Sequence, residues 1–129
     1  MKTRPWTTEE IADFRTTENL PIRTAGRADH LRGRTLVWVV THDDSVYVRS
    51  YRGVSGAWYR RALVSPAGEV TVMGTGVPVL CEPAGAENAE EVSDAYRAKY
   101  GRFSYVSSIV TELAVAATMR LTALDGGSE

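Results

Sequence analysis

The sequence of 129 residues contains a single cysteine and no long apolar run. Because Cys81 has no second cysteine to pair with, an internal disulfide and a multi-cysteine zinc site are both excluded. No stretch approaches the ~20 apolar residues of a membrane-spanning helix, and residues 1–6 lack the apolar core of a secretory signal. We therefore expect a cytoplasmic protein with no membrane partner.

Motifs for metal binding and hydrolysis are equally scarce. The two histidines, His30 and His42, lack the spacing of paired metal ligands. The segment 74–76 has glycines but not the lysine and following helix of a phosphate-binding loop, and Ser55 has no histidine near it in sequence. The sequence thus predicts no metal site and shows no recognisable catalytic triad or carboxylate pair.

Charge is distributed unevenly, although the net charge is only −1. Residues 23–61 hold eight arginines against three aspartates, whereas residues 62–129 hold four basic and nine acidic side chains. The positive segment predicts an anionic partner. Its arginines are scattered over several elements and form no basic run, which argues against a nucleic-acid partner.

Capping signals predict a first helix near the N-terminus. Thr7 and Glu10 have the spacing of a capping box, and Trp6 and Ile11 have that of a hydrophobic staple. Further helices are predicted over 56–64 and over 88–100, the latter capped by Asn88 and Glu91. Residues 108–116 fit either a short helix or an extended segment.

Alternating and β-branched residues predict strands that are joined as hairpins. Residues 35–41 are apolar throughout, which predicts one strand buried on both faces. A turn at 42–45 joins it to a partner strand over 46–51. Pro78 predicts an edge position or a bulge for its strand. The remaining strands are predicted over 20–24, 69–73, 77–82 and 118–124.

The order of these elements predicts the fold class. Hairpin strands with a few short helices between them indicate an α+β, mainly β, protein with an antiparallel barrel or sheet, and they argue against a doubly wound fold. The length predicts a single domain over 1–129. An N-terminal helix within 1–19 and a frayed tail at 125–129 complete the expected organisation.

The stretch 48–61 is the most informative part of the chain, because it holds four arginines, two serines and three aromatic residues. Arg60 and Arg61 are predicted in the first turns of helix 56–64, where the positive end of the helix disfavours cations unless an anion is nearby. Free N–H groups at that terminus and the guanidinium groups together suit a phosphate or a carboxylate.

Residues at the end of the preceding strand complete this predicted anion site. Arg49, Ser50 and Arg52 approach it from the strand. Gly53 and Gly56 allow the backbone to come close to a ligand. The alternative that Arg49 is only a cross-strand partner stays open.

Aromatic residues in the same stretch can supply a stacking wall for a flat ring. Tyr51, Trp58 and Tyr59 are the candidates. The alternative is that Trp58 and Tyr59 are core anchors and that the helix arginines pair with acidic residues of the C-terminal half. Four later aromatic residues are expected in the core or in a dimer contact, although one of them could cover a bound ring: Tyr96, Tyr100, Phe103 and Tyr105.

Residues 58–74 resemble the Trp-Tyr-x-Asn-Leu-x-x-Asn-Pro…Val-x-Val…Gly signature of the deazaflavin-dependent nitroreductase-like proteins. Those proteins belong to the FMN-binding split-barrel superfamily, with the pyridoxamine-phosphate-oxidase-like flavoproteins. Segments 49–61 and 95–101 closely resemble an uncharacterised bacterial family suspected to share that fold. Arg60 and Arg61 stand where the signature has other residues, so FMN, a deazaflavin and no cofactor all remain open.

The resemblance implies a six-stranded antiparallel split β-barrel with short flanking helices, commonly a homodimer, with the cofactor in a groove at the barrel and dimer edge. Tyr51 and Tyr59 are the candidate proton donors. The candidate cofactor-binding residues are Arg49, Ser50, Tyr51, Arg52, Gly53, Trp58, Arg60 and Arg61.

The same resemblance implies a flavin- or deazaflavin-dependent oxidoreductase that moves a hydride to or from a small organic substrate. In such enzymes the flavin carries the redox chemistry, while the protein binds and orients it. One alternative is a cofactor-independent ligand-binding protein or enzyme of the same fold in specialised metabolism. Another is a non-catalytic dimer module whose arginines form interface salt bridges.

Overall fold

The computed structural model describes residues 2–28 and 30–125. Within them the chain forms eight strands, four α-helices and two 3₁₀ segments. The strands are β1 (Thr3–Arg4), β2 (Leu20–Thr24), β3 (Thr35–Val37), β4 (Val39–His42), β5 (Ser45–Arg49), β6 (Ala67–Val72), β7 (Thr75–Pro83) and β8 (Thr118–Leu124). The helices are α1 (Thr8–Thr16), α2 (Ala57–Val64), α3 (Ala89–Tyr100) and α4 (Glu112–Ala116), and the 3₁₀ segments are Gly53–Ser55 and Ser104–Ile109.

The predicted capping box sets the start of α1. The Thr7 hydroxyl accepts from the Glu10 N–H at 3.1 Å, and the Glu10 carboxylate accepts from the Thr7 N–H at 2.9 Å. Arg4 donates two bonds of 2.8 Å to the same carboxylate, and this pairing lowers the pKa of Glu10 to about 2. Trp6 meets Phe14 edge to face with 4.8 Å between ring centroids, which holds α1 against the preceding chain.

The strands curl into a nearly closed antiparallel barrel. Seven of the described strands follow one another in the order β3-β2-β6-β7-β8-β5-β4, with the two-residue β1 beside β8. β3 and β4 stand at the two ends of this order although only Trp38 separates them in the chain. The barrel therefore has one seam, which Trp38 crosses. The predicted split barrel of a mainly β protein is confirmed, with seven strands where six were predicted.

The segment 35–41, predicted as one strand, is two. β3 pairs with β2 and β4 pairs with β5, and the Trp38 carbonyl between them accepts from the Tyr96 hydroxyl at 2.9 Å. Leu36 is 60% exposed, so this part of the chain is not buried on both faces. An apolar run does not reveal where a chain changes strand partners, and the prediction was wrong for that reason.

Two apolar clusters hold the fold together. The larger one fills the barrel and includes side chains from α1, α2 and most strands, with Phe14, Leu20, Ile22 and Val39 fully buried. Removing such side chains from water provides most of the stabilisation of a small domain. The smaller cluster lies between α3 and the outer face of β4 and β5; its buried members are Val40, Tyr47, Ala84, Val92, Tyr96, Tyr100 and Ile109.

Two hairpins close with left-handed backbone, which tight two-residue turns require. Asp43 and Asp44 have φ of 49° and 63° between β4 and β5, as the turn predicted at 42–45 requires. Met73 and Gly74 have φ of 49° and 80° between β6 and β7. This second turn is shorter than predicted, and both of its strands are correspondingly longer.

Pro78 lies inside β7 where that strand has one neighbour. It pairs with Glu69 of β6, whereas pairing between β7 and β8 begins at Val79. Proline lacks an N–H and is tolerated where a strand is unpaired on one side. The predicted edge position of the strand is therefore wrong, because β7 lies between β6 and β8, but Pro78 itself has a neighbour on one side only.

α3 covers the predicted helix but begins without the predicted cap. Asn88 has φ of 50° and makes no side-chain cap; its amide instead donates to the Tyr47 hydroxyl at 3.4 Å. In the undecided segment 108–116, α4 forms behind Thr111, whose hydroxyl accepts from the Ala114 N–H at 3.1 Å.

The chain ends described by the structure are joined. The Asp125 N–H donates to the Lys2 carbonyl at 2.8 Å, and the rest of the predicted frayed tail, 126–129, lies outside the described residues. No helix within the described ranges is long and apolar enough to cross a membrane.

Candidate ligand-binding cavity

A cavity of about 620 Å³ opens beside the seam of the barrel. Its wall comes mainly from the seam around Trp38, the chain that follows β5, the start of α2 and the 3₁₀ segment Ser104–Ile109. This volume is typical of a cofactor or small-molecule pocket. The lining residues are Asn19, Thr35, Leu36, Val37, Trp38, Arg49, Ser50, Tyr51, Arg52, Ser55, Gly56, Ala57, Trp58, Tyr105, Ser108 and Ile109.

Arg49 lines the cavity as a buried cation, with only 2% of its surface exposed. Its Nε donates to Thr118 Oγ1 at 2.9 Å, and its Nη1 donates to Ser93 Oγ at 2.8 Å. Backbone carbonyls of Ile109 and Ala89 accept two further bonds, each of 3.1 Å. Burial lowers the pKa of Arg49, and no carboxylate of a described residue forms an ion pair with it. Its four hydrogen-bond acceptors are all neutral, although the charge of the nearby Glu90 partly offsets its own. The remaining field of the guanidinium reaches the cavity that it lines.

Ser50 places an unpaired hydroxyl at the cavity. The residue is 3% exposed, and its backbone N–H donates to the Ala117 carbonyl at 3.1 Å. Its hydroxyl makes no hydrogen bond with any residue in the described ranges. A Cβ built on Gly56 would lie 2.2 Å from Ser50 Oγ. The hydroxyl therefore lies directly against the Gly56 backbone, and a side chain at position 56 would force it to rotate away.

The N-terminus of α2 meets the cavity next to that hydroxyl. Gly56 is the N-cap and supplies no side-chain acceptor for the first turn. The first helical bond runs from the Arg60 N–H to the Gly56 carbonyl, so the N–H groups of Ala57, Trp58 and Tyr59 precede it and have no acceptor inside the helix. An uncapped N-terminus beside an unpaired hydroxyl suits the oxygens of an anion.

Tyr51 and Arg52 lie at the mouth of the cavity, and both are exposed. The Arg52 Nε donates to Tyr51 Oη at 3.3 Å, and the guanidinium lies 5.5 Å from the centre of the Tyr51 ring. The Ser55 hydroxyl donates to the Arg52 carbonyl at 2.9 Å, which steadies the backbone. Arg52 pairs with no described carboxylate, so its charge is available to a ligand.

Aromatic rings form one side of the cavity. The Trp38 indole stacks on Tyr100 with 4.1 Å between centroids and 10° between planes. It also stacks on Tyr105, at 5.2 Å and 27°. Tyr105 is 59% exposed and lies on the cavity wall with Trp38. Trp58 is 5% exposed and belongs both to the barrel core and to the cavity wall, so its place in the core does not remove it from the cavity.

Two of the residues proposed for the site face other parts of the protein. Gly53 has φ of 69°, and a Cβ there would meet the Leu113 side chain at 2.6 Å, so its missing side chain makes room for α4. Tyr59 is 4% exposed within the barrel core, and burial raises its pKa. Neither residue lines the cavity.

The two helix arginines also lie outside the cavity wall. Arg60 is exposed. Arg61 Nε donates to Thr24 Oγ1 at 3.1 Å. Because α2 has only eight residues, Arg61 belongs to its last turn, not to its first turns as expected. A cation is favoured at that end of a helix. The argument that the helix dipole requires an anion near Arg61 therefore does not apply.

The sequence did not indicate Trp38 or Ser108 as site residues. It indicated Tyr105 only as one of four aromatic residues, any one of which could cover a bound ring. Trp38 was read as part of a buried strand, and Ser108 carried no signal of its own. The one signal available for Tyr105 was the dense aromatic spacing of 96–105. Their convergence on the cavity depends on how the chain crosses the seam.

A family of bacterial proteins matches most of the chain. The family described as "Uncharacterized protein conserved in bacteria (DUF2255)" aligns with residues 10–121. The chain belongs to the DUF2255 family. No curated protein matches it.

Solved structures share the fold of this DUF2255 protein at low sequence identity. The heme storage protein HutZ from Vibrio cholerae superposes with a TM-score of 0.65 and 14% identity, over 98% of this chain and 93% of HutZ. A NimC/NimA family protein from Clostridium acetobutylicum has a TM-score of 0.57 and 10% identity, over 91% and 80% of the two chains. An FAD-binding protein from Mesorhizobium loti has a TM-score of 0.56 and 13% identity, over 96% and 93%. At these identities the likeness shows the fold alone.

The acidic, cysteine and histidine side chains of the DUF2255 chain do not converge. Within residues 2–28 and 30–125, no group of three or more such side chains could hold a metal ion. Cys81 is buried, and burial raises the pKa of its thiol to about 12, which leaves it unreactive at neutral pH.

Proposed function

We propose that this protein binds a flavin or a deazaflavin in the cavity beside the seam and uses it to move a hydride to or from a small organic substrate. The observation that carries the proposal is the Ser50 hydroxyl, which pairs with no described residue and lines the cavity beside the uncapped N-terminus of α2. A free hydroxyl donor and backbone N–H groups without acceptors at one end of a cavity suit the oxygens of an anionic ligand.

The anionic end of the cofactor belongs with the polar side of the cavity. Ser50 donates its hydroxyl proton to a phosphate or carboxylate oxygen, and the first turn of α2 offers backbone N–H groups. Arg52, at the mouth of the cavity, donates a charge-assisted hydrogen bond to the anion. Arg49 contributes chiefly its field, because four of its five N–H groups already have acceptors in the protein.

The flat ring belongs with the aromatic side of the cavity. Trp38 and Tyr105 offer ring faces, and Leu36 adds apolar surface at the rim. A flavin supplies hydride transfer when bound, while the protein orients it, excludes water and sets the local polarity. Of the two tyrosines considered as proton donors, Tyr51 lines the cavity and Tyr59 does not. Tyr51 is therefore the candidate that this proposal keeps.

A homodimer is part of the same proposal. Exposed apolar side chains surround the cavity mouth, and their burial between two copies of the chain would shield a bound ring from water. The free, buried Cys81 fits the reducing cytoplasm expected for the protein. The exposed side chains that add apolar surface to the cavity wall are Leu36, Tyr51 and Tyr105.

Titration of the purified protein with riboflavin, FMN, FAD and a deazaflavin tests the proposal, with flavin fluorescence quenching as the readout. We expect FMN to bind more tightly than riboflavin, because only FMN has the phosphate. Hemin serves as a further arm, since among the described wall residues only Tyr51 and Tyr105 are of a kind that ligates heme iron. Tight binding of hemin with no flavin binding would replace the proposal with a heme-binding function.

Two substitutions locate the anion. Ser50→Ala and Arg52→Ala should each weaken FMN by about fivefold to tenfold, or ~1–1.4 kcal/mol, because each removes one bond to a charged group. The matched controls are Ser107→Ala and Arg15→Ala, which change exposed residues outside the cavity wall. Equal affinity of wild type and both site variants would move the anion away from this end of the cavity.

A further inference from the structure

Five arginines that pair with no described carboxylate occur in two neighbouring segments behind the cavity, and we refer to them as the arginine patch. They come from the loop between β2 and β3 and from α2. Arg27, Arg32, Arg34 and Arg60 are exposed, and Arg61 is half-buried. None of the five forms an ion pair with a carboxylate in the described ranges. The one acidic residue of the loop sequence, Asp29, lies outside those ranges.

Contacts around Thr24 bring the loop and α2 together. The Thr24 carbonyl accepts from the Arg32 N–H at 3.0 Å, and the Thr24 hydroxyl accepts from Arg61 Nε at 3.1 Å. A Cβ added to Gly26, the residue before Arg27, would lie 3.0 Å from Arg61 Cγ. The loop therefore folds over Arg61, although Arg32 and Arg61 are 29 residues apart in sequence.

Like charges in this cluster oppose one another. Burial and the nearby charge of Arg32 both lower the pKa of Arg61. Five other arginines are neutralised by carboxylate partners: Arg4 by Glu10, Arg23 by Glu69, Arg97 by Asp94, Arg102 by Glu18, and Arg120 by Glu82 and Glu87. Concentrating unpaired cations on one surface costs free energy that a bound polyanion would recover.

The patch adjoins the cavity without being part of its wall. The Thr24 hydroxyl donates to the Trp58 carbonyl at 3.2 Å, and Trp58 lines the cavity. On the other side, Arg34 directly precedes Thr35, another wall residue. A ligand on the patch therefore sits next to the cavity, behind Trp58.

We infer that the arginine patch is a second anion-binding site, which takes a group of two or more linked phosphates. Linked phosphates carry several charges within a few ångströms, and guanidinium groups match phosphate oxygens in pairs. A single monovalent anion would leave most of the repulsion in place. Two sources share this chemistry: a free polyphosphate-bearing molecule, or the diphosphate of a dinucleotide whose ring occupies the cavity.

Calorimetric titration of the flavin-free protein with inorganic tripolyphosphate tests the patch. The variant Arg32→Gln/Arg60→Gln removes two exposed charges, and Arg15→Gln/Arg97→Gln removes two exposed charges elsewhere as the matched control. We expect tripolyphosphate to bind the patch variant about tenfold more weakly than wild type and to bind the control within about twofold of wild type. Raising the ionic strength to 1 M, where the screening length is about 3 Å, should abolish binding.

The titrations also separate the two sources and the two proposals. If a dinucleotide spans both sites, FAD binds more tightly than FMN and loses that excess in the patch variant. If the source is a free polyphosphate, FMN and FAD bind alike and tripolyphosphate still binds in their presence. Tripolyphosphate binding without any flavin binding would reject the proposed function and keep the patch.

Three results would overturn the inference. The first is no binding of tripolyphosphate at low salt. The second is an equal loss of affinity in the patch variant and in the control, which would show a response to net charge alone. The third is displacement of tripolyphosphate by a mixed-sequence DNA duplex that binds more tightly, which would make the patch a nucleic-acid surface. Circular dichroism of both variants confirms that they remain folded.

Discussion

The guanidinium of Arg49 donates to the backbone carbonyl of Ile109 at 3.1 Å, although 60 residues separate them in the chain. Ile109 ends the 3₁₀ segment that carries Tyr105 to the cavity wall. The same guanidinium also bonds to the first turn of α3 through the Ala89 carbonyl. One buried cation at the end of β5 thus ties together two segments that are distant in sequence, next to the proposed ligand site.

Arg49→Met should therefore lower the free energy of unfolding by about 2–4 kcal/mol. The substitution leaves buried acceptors without donors, which costs about 1–3 kcal/mol for each acceptor, and the removal of a buried, unpaired charge offsets part of that cost. Urea denaturation measures the loss. Arg52→Met, at an exposed arginine three residues on, is the control and should change stability by less than ~0.5 kcal/mol. Equal stabilities for the two variants would show that the Arg49 bonds contribute little.

Gly56→Ala isolates the contact between Gly56 and the Ser50 hydroxyl. The backbone at Gly56 has φ of −60° and ψ of 137°, which alanine adopts freely, but the new Cβ would lie 2.2 Å from Ser50 Oγ. The hydroxyl must turn away, so we expect FMN to bind about tenfold more weakly. Gly33→Ala is the control, because nothing lies within 4 Å of a Cβ there. Unchanged FMN affinity in Gly56→Ala would show that the Ser50 hydroxyl does not bind the anion.

Tyr105→Ala should destabilise the fold by about 1 kcal/mol, because it removes the ring that stacks on Trp38. Tyr105→Phe keeps the ring, and the Tyr105 hydroxyl makes no hydrogen bond with a described residue, so this variant should match wild type. Urea denaturation followed by tryptophan fluorescence reports both. A loss in the phenylalanine variant as large as that in the alanine variant would assign the effect to the hydroxyl and not to stacking.

The buried ammonium of Lys99 should make the protein more stable as the pH rises. Its ammonium donates to the Val39 carbonyl at 2.6 Å and to the Phe14 carbonyl at 2.8 Å, and burial lowers its pKa from 10.5 to about 8. Between these two pH values the unfolded chain holds the proton while the folded chain has released it. The penalty for burying the charge is thus complete below pH 8 and disappears as the pH rises toward 10.5.

Lys99→Met removes this titration and is the comparison for it. We expect the stability of wild type relative to Lys99→Met to rise between about pH 8 and pH 10.5, as measured by urea denaturation at a series of pH values. Titration of groups away from Lys99 is the same in both proteins, so it cancels in the difference. A difference that stays constant across this range would mean that Lys99 titrates at its ordinary pKa.

Local signals in the sequence predicted several elements correctly. The Thr7–Glu10 capping box, the strand over 20–24 and the helix after Gly56 each depend on neighbouring residues, and each is present. The fold class followed from hairpin order and from the resemblance of 58–74 to split-barrel proteins. The break at Trp38 was missed because strand partners are chosen by distant residues.

The candidate site was only partly accessible to sequence reasoning. Ser50, Arg52 and Trp58 do meet at one cavity, as predicted. Arg60 and Arg61 do not line it. Arg61 instead contacts the segment that leads to Arg32, and Arg60 is exposed. The direction of a side chain relative to a distant loop cannot be read from a local pattern.

The amino-acid sequence alone determined where helices and turns begin, which strands are hairpin partners, and that positive charge is concentrated in 23–61, because these properties depend on nearby residues and composition. Only the tertiary structure decided that Arg49 is buried among neutral acceptors, that Ser50 remains unpaired, and that Trp38 crosses the seam. Those outcomes depend on contacts between residues that are 60 and 69 positions apart in the sequence. Such contacts exist only after the barrel has closed.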